Sequence, residues 1–280
     1  MADSTELTLM AVHAHPDDES IGTGGTLARY SAEGVQTVLV TCTNGEQGDG
    51  DGGAKPGEQG HSPEAVAARR LAELHDSVRF LGVTHLELLG YRDSGMDGWS
   101  ANHDPGVFCN VAVGEAAARL ADLIRKYRPQ VVVTYDDNGG YGHPDHIQAH
   151  RITLEAAALT AIPAKLYYGA VPRSAFRRLR ELMVGAGLDA DFPELPEDFG
   201  TPDELVTTSI DVSAYKTAKL QSLAAHASQI ENLFLLRLPE PLQDMVLSRE
   251  MFTLRSAPAG LHDEDDLFAG LRAGLHSDLR

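Results

Sequence analysis

Two cysteines in 280 residues, Cys42 and Cys109, are too few for a disulfide framework and too few for a cysteine-built zinc site. Cys42 lies within the apolar run 38–42 and reads as a buried small hydrophobe. Positive charge is scarce as well. Five Lys and eighteen Arg face 41 acidic residues, giving a formal net charge of −18. That deficit argues against nucleic acid, which requires a basic footprint, and favours a neutral or cationic small molecule over a polyanion. No apolar run approaches the roughly 20 residues of a membrane span. The first seven residues show neither a basic n-region nor a small-residue cleavage pattern, so no signal peptide is expected and the expected compartment is the cytoplasm.

At 42% hydrophobic and 23% charged, the chain has the make-up of a globular protein with a sizeable core. Buried strands are predicted at 7–14, 36–42 and 130–135, with shorter ones at 85–89, 165–168, 205–212 and 251–255. Helices are predicted at 22–34, from Pro63 to about Leu81, at 110–127, 146–159 and 213–229. Ser62 followed by Pro63 and Glu64 supplies a start signal for the second of these. Residues 44–63 are glycine-rich and long for a turn, so a mobile loop is expected there. Buried strands alternating with helices predict an α/β fold, Rossmann-like and doubly wound, with a mainly parallel sheet and a smaller mixed C-terminal portion. The expected division is a metal-binding catalytic core over 1–170 and a portion over 171–280 that completes the substrate pocket. Leu267, Leu271, Leu275 and Leu279 recur every fourth residue in an acidic tail from about 260. This spacing suits a docked helix, a frayed end or a homo-oligomer contact.

Two short stretches carry chemistry: His13-Ala14-His15-Pro16-Asp17-Asp18-Glu19 and His143-Pro144-Asp145-His146. Each follows a predicted buried strand, and parallel strands bring such ends to one rim, where ligands bind in open sheets. Two imidazoles and one carboxylate leave a zinc ion a position open for water. A second carboxylate beside it can serve as general base. Gly22-Thr23-Gly24-Gly25 lacks the G-x-G-x-x-G spacing of a dinucleotide loop, which disfavours a nicotinamide enzyme.

Together with Thr41-Cys42-Thr43-Asn44-Gly45-Glu46, Arg92-Asp93-Ser94-Gly95-Met96 and 133–142, these stretches resemble the PIG-L/LmbE-type family of zinc N-deacetylases. The resemblance spans most of residues 7–160. It implies His15, Asp18 and His146 as ligands of Zn²⁺, with Fe²⁺ equally suited to such a donor set. It implies Asp17 as the base, His143 as oxyanion partner and amine protonator, and Asp145 as the group that orients His143. It further implies substrate contacts from Arg70, Asp93, Met96 and Tyr141, and more weakly from Ser20 and Glu46. His13 is left outside the ligand set. The implied reaction is hydrolysis of an N-acyl, typically acetyl, group on an amino-sugar glycoside such as a GlcNAc-inositol. The family also contains an amidase of mycothiol-type thiol conjugates. That enzyme is expected to carry a lysine just after the first cluster, where this chain has Ser20. A metal-dependent binding protein without catalysis is the rival of another class.

Plainer readings stand beside several of these. Arg70 suits a helix-surface ion pair, Asp93 a turn before Ser-Gly, Tyr141 the shape of a glycine loop, and Met96 a gap in packing. Asp17 and His143 suit support of the ligands.

Overall fold

Strand β1 (Thr8–His13) is buried along its whole length, and its side chains alternate between two hydrophobic layers. Leu9 and Ala11 enter one layer, Met10 and Val12 the other, as the two-residue period of a strand dictates. The computed structural model describes residues 7–185, 187–188, 199–229, 233–255 and 264–272.

The other strands are β2 (Gln36–Thr43), β3 (His85–Tyr91), β4 (Val131–Thr134), β5 (Lys165–Ala170), β6 (Thr208–Asp211) and β7 (Arg249–Leu254). They form one seven-stranded sheet in the order β3-β2-β1-β4-β5-β7-β6. The first five run parallel, while β7 is antiparallel to both β5 and β6. The expected α/β sheet is therefore present, and the strands of the C-terminal third extend that same sheet.

The helices are α1 (Asp18–Gly22), α2 (Gly24–Ala32), α3 (Pro63–Leu81), α4 (Val113–Tyr127), α5 (Gly139–Gly142), α6 (Pro144–Thr160), α7 (Arg173–Gly185), α8 (Lys216–Ala225), α9 (Leu233–Arg237) and α10 (Glu240–Leu247). Leu27 and Tyr30 of α2 and Leu74 and Leu81 of α3 pack on one face of the sheet. Leu120 and Ile124 of α4 and Ile152 of α6 pack on the other, together with Cys42. Burying each such large side chain contributes about 1.5–3 kcal/mol relative to leaving it exposed.

Local chemistry sets the ends. Ser62 caps α3 by accepting from the Ala65 N–H at 3.3 Å, Pro63 opens the helix, and Gly82 closes it in the left-handed region. The helix expected over 22–34 is α2, which starts at Gly24, with Thr23 separating it from the short α1 that precedes it. The predicted helix at 110–127 begins only at Val113, because 108–110 form a 3-10 turn. The predicted helix at 213–229 shortens to α8 behind another such turn. Helices α7, α9 and α10 had no counterpart in the sequence reading. With α8 they bury a separate cluster that includes Leu179, Met183, Leu223 and Leu247.

Residues 44–63 form a wall rather than a free flap. The Gly45 carbonyl accepts from Arg70, the Gly48 carbonyl pairs with His61, and Asp49 pairs with Lys55. In the tail, Leu267 is fully buried and Leu271 packs against the same layer, but as turns and not as a helix. Leu275 and Leu279 lie outside the described residues.

Candidate active site

Strand order reverses between β1 and β4, so a crevice opens at their carboxyl ends. The first cluster leaves β1 into α1, and the second forms the N-cap and first turn of α6. They meet there. The rings of His15 and His146 lie 5.3 Å apart, and those of His143 and His146 lie 4.8 Å apart.

Asp18 is the hinge of the set. Its Oδ1 lies 3.3 Å from His146 Nε2, and its Oδ2 lies 3.3 Å from His15 Nδ1. The far side of each ring is held by protein. His146 Nδ1 donates to the Gly139 carbonyl at 3.1 Å, and His15 Nε2 pairs with Asp145 Oδ2 at 3.2 Å. Such partners fix the tautomer, leaving His146 Nε2 and His15 Nδ1 with lone pairs toward Asp18. His146 Nε2 is buried with no hydrogen-bond partner in the structure. A buried acceptor of this kind suits a cation, and the donor set fits zinc or ferrous iron.

The described residues also bring ligating atoms of His15, His143 and His146 within 4.8 Å of one another, and likewise those of His15, Asp93 and Asp145. The second grouping is already committed to the backbone. Asp93 accepts the N–H groups of Gln47 and Gly95, and Asp145 accepts the N–H and hydroxyl of Ser94. Both carboxylates therefore act as braces around His15. In the first grouping, His143 Nδ1 accepts the Asp145 N–H at 3.1 Å. Its remaining Nε2–H is then a donor.

Electrostatics follow from burial and this crowd of carboxylates. Burial alone lowers the pKa of His15, but Asp93, Asp145 and Asp18 outweigh it and raise it well above the usual value. Burial raises that of Asp18, yet His146 and His15 pull it well below the ordinary range. The surroundings thus favour positive charge at the ligand set. Burial lifts Asp17 above its usual value, partly offset by Arg70. Burial together with His15 and His146 holds His143 down to about 2.

Asp17 adopts φ 122°, outside the range comfortable for a non-glycine residue. This turn lets adjacent carboxylates diverge: Asp18 faces the ligands, while Asp17 Oδ2 lies 3.0 Å from Arg70 Nη2. Arg70 also donates to the carbonyls of Pro16 and Gly45. It is 4% exposed, so it is a buried clamp on Asp17 and not a helix-surface pair. A Cβ at Gly45 would stand 2.5 Å from the Arg70 guanidinium, and Gly45 has φ 70°, so glycine is required beneath this clamp.

A cavity of about 1460 Å³ opens on these groups. Asp17, Asp18, His15, His143, His146, Arg70, Asp93, Met96 and Tyr141 all line it. Three expectations need correction. Ser20 is fully buried among Glu19, Ser77 and Ser222 and does not line the cavity. Glu46 is 7% exposed and likewise absent from the lining, with Oε1 3.9 Å from Arg92. The Asp145 carboxylate faces His15 and Ser94, and only its backbone N–H reaches His143.

Sequence reasoning missed Tyr135, Ser94 and His226. Tyr135 stands just past β4, a strand end that could have singled it out. Both ring nitrogens of His13 are taken up by protein: Nδ1 meets the Tyr135 hydroxyl at 3.2 Å and Nε2 meets Thr23 at 2.8 Å.

The PIG-L family, described as GlcNAc-PI de-N-acetylase, matches residues 10–157. A protein of Acidothermus cellulolyticus named 1D-myo-inositol 2-acetamido-2-deoxy-alpha-D-glucopyranoside deacetylase is 44% identical, over 94% of this chain and 95% of its own. A Streptomyces griseus protein of the same name is also 44% identical, over 97% and 91%. Among solved structures, N,N'-diacetylchitobiose deacetylase from Pyrococcus horikoshii superposes with a TM-score of 0.56 at 20% identity, covering 89% of this chain and 84% of that one, and shares the fold. No helix among the described residues is long and apolar enough to cross a membrane. With a strand-end donor set, two diverging carboxylates and these relatives, the chain belongs to the PIG-L family.

Proposed function

We propose that this protein hydrolyses the N-acetyl amide of an amino-sugar glycoside, with a GlcNAc-inositol as the substrate class. The observation that carries the reading is Asp17 and His143 on the same cavity as the His15, Asp18 and His146 donors. The name of relatives 44% identical over nearly the whole chain supports the substrate class.

Zinc, or ferrous iron, held by His15 Nδ1, Asp18 Oδ1 and His146 Nε2 would acidify a water and polarise the acetyl carbonyl. Asp17 takes the proton of the attacking water, its raised pKa bringing it closer to the working range of a base. Arg70 fixes the angle of that carboxylate. His143 donates its Nε2–H to the oxygen that gains negative charge. The C–N bond then breaks, the amine leaves with a proton delivered from Asp17, and acetate remains. Asp93, Met96 and Tyr141 contact the sugar or its aglycone. In this reading residues 1–170 supply the reacting groups, residues 171–280 the far wall of the pocket, and the enzyme works in the cytoplasm.

One observation favours the amidase alternative. The cavity exceeds the usual range of about 300–1,000 Å³ for small-ligand sites, and Trp99, Val171, Phe176 and Met245 add an apolar side. Incubating zinc-loaded protein with N-acetylglucosaminyl-inositol and, separately, with a thiol-conjugate amide separates the two. Free amine from the first substrate at the higher kcat/KM is expected. Higher kcat/KM on the thiol conjugate overturns the deacetylase reading, and turnover of neither overturns both.

A further inference from the structure

We infer that His226, in the turn after α8, is a positioning residue for Asp17 and acts through Glu19; the inference rests on the reading of Asp17 as the base. Asp17 pays for its useful direction with a backbone conformation that a non-glycine residue adopts only when its surroundings enforce it. Two side chains among the described residues help to enforce it. Arg70 holds the carboxylate end. At the backbone end, the Asp17 N–H donates to Glu19 Oε2 at 2.9 Å.

Glu19 is fully buried, so its own orientation depends on protein partners. Its Oε1 accepts from His226 Nε2 at 2.7 Å, from the Ser20 hydroxyl at 2.9 Å, and from the Ser77 hydroxyl. His226 alone among these can bring positive charge, and it is 1% exposed. A buried carboxylate oxygen that loses a hydrogen-bond donor is left unsatisfied, which is unfavourable. Without His226, Glu19 loses the donor that fixes its Oε1 and turns, and its hold on the Asp17 N–H weakens. The strained turn then relaxes and the base loses its aim. His226 does not line the cavity, and its side-chain hydrogen bond goes to Glu19, so its geometric hold on the turn runs through that carboxylate.

The test uses full-length, zinc-loaded protein and four variants: His226→Phe, His226→Gln, Asp17→Asn and the double variant Asp17→Asn/His226→Phe. His226→Phe is expected to lower kcat by about 10–100-fold, the usual scale for a group that orients a site residue, with KM and zinc content unchanged. His226→Gln keeps a donor toward Glu19 and is expected to recover most of that loss. In the Asp17→Asn background His226→Phe is expected to change the residual rate by less than about twofold, since coupled residues are not additive. A His226→Phe enzyme with normal kcat overturns the inference, whatever its melting temperature. Equal losses in both backgrounds also overturn it. Near-normal turnover by Asp17→Asn instead overturns the base assignment itself, which is a separate outcome.

Discussion

The Tyr135 hydroxyl donates to Asp18 Oδ2 at 2.7 Å while accepting the Ala14 N–H at 2.9 Å. One phenol thus ties a ligand carboxylate to the end of β1. It also stacks on the His146 ring at 4.1 Å between centroids, so it steadies two of the three proposed ligands. Tyr135→Phe keeps the ring and removes the bond. Zinc affinity is expected to fall about 10–100-fold, as for other outer-shell changes, measured by competition with a chromogenic chelator. An unchanged affinity would show that Asp18 needs no help from the phenol.

Ser94 holds Asp145 through both its N–H and its hydroxyl, and Asp145 in turn holds His15 Nε2. Ser94→Ala leaves the backbone bond and removes the other. We expect kcat/KM to drop about tenfold, partly recovered in excess zinc, because the defect is in orienting a ligand. A loss that excess zinc leaves untouched would place the role of Ser94 elsewhere.

Gly139 combines φ 63° with a close approach: a Cβ there would lie 2.7 Å from His146 Cβ and 2.9 Å from the Ile147 nitrogen. Gly139→Ala should therefore lose stability by more than the about 1–2 kcal/mol of a left-handed residue alone. It should also weaken zinc binding, since the Gly139 carbonyl orients His146. Denaturant melts and chelator competition on one preparation check both, and a fully stable variant would contradict the clash.

Stability should depend on pH through Glu19 and His226. Burial raises Glu19, but His226, Ser77 and the Asp17 N–H outweigh it and hold the carboxyl at about 2, below its ordinary 4.5. A depressed carboxyl stabilises the fold above its unfolded value, and that contribution fades as pH falls from 4.5 toward 2. Burial lowers His226, but Glu19 and Asp17 raise it above 6.5, so its share is complete below 6.5 and fades as pH rises through the folded value. The stability difference between the native protein and Glu19→Gln should peak between pH 4.5 and 6.5. A difference that stays flat from strong acid to mild alkali would refute the linkage.

The meeting of the two clusters could be read from the sequence because each cluster is local, and because a buried strand followed by a helix start fixes where its end lies. Arg70 was legible as a residue but not as a clamp, since its partners Pro16, Asp17 and Gly45 come from other loops. Ser20 and Glu46 illustrate the reverse. Both neighbour site residues in sequence, yet one turn of α1 points Ser20 at Ser77 and Ser222, and away from the cavity. Ser94 and His226 act through long-range bonds that no local pattern encodes. Helices α7, α9 and α10 escaped notice because their apolar residues join a small separate cluster with α8, outside the two layers of the sheet.

Lys219 of α8 and Glu250 of β7 form a buried pair at 2.5 Å, and Glu250 also accepts the first N–H groups of α2 from Gly25 and Thr26. Lys219 reaches the Ile21 carbonyl at the end of α1. The two short helices that follow the first cluster are thus stapled by residues more than half a chain away. The frame behind the first cluster is therefore complete only with α8 and β7 in place.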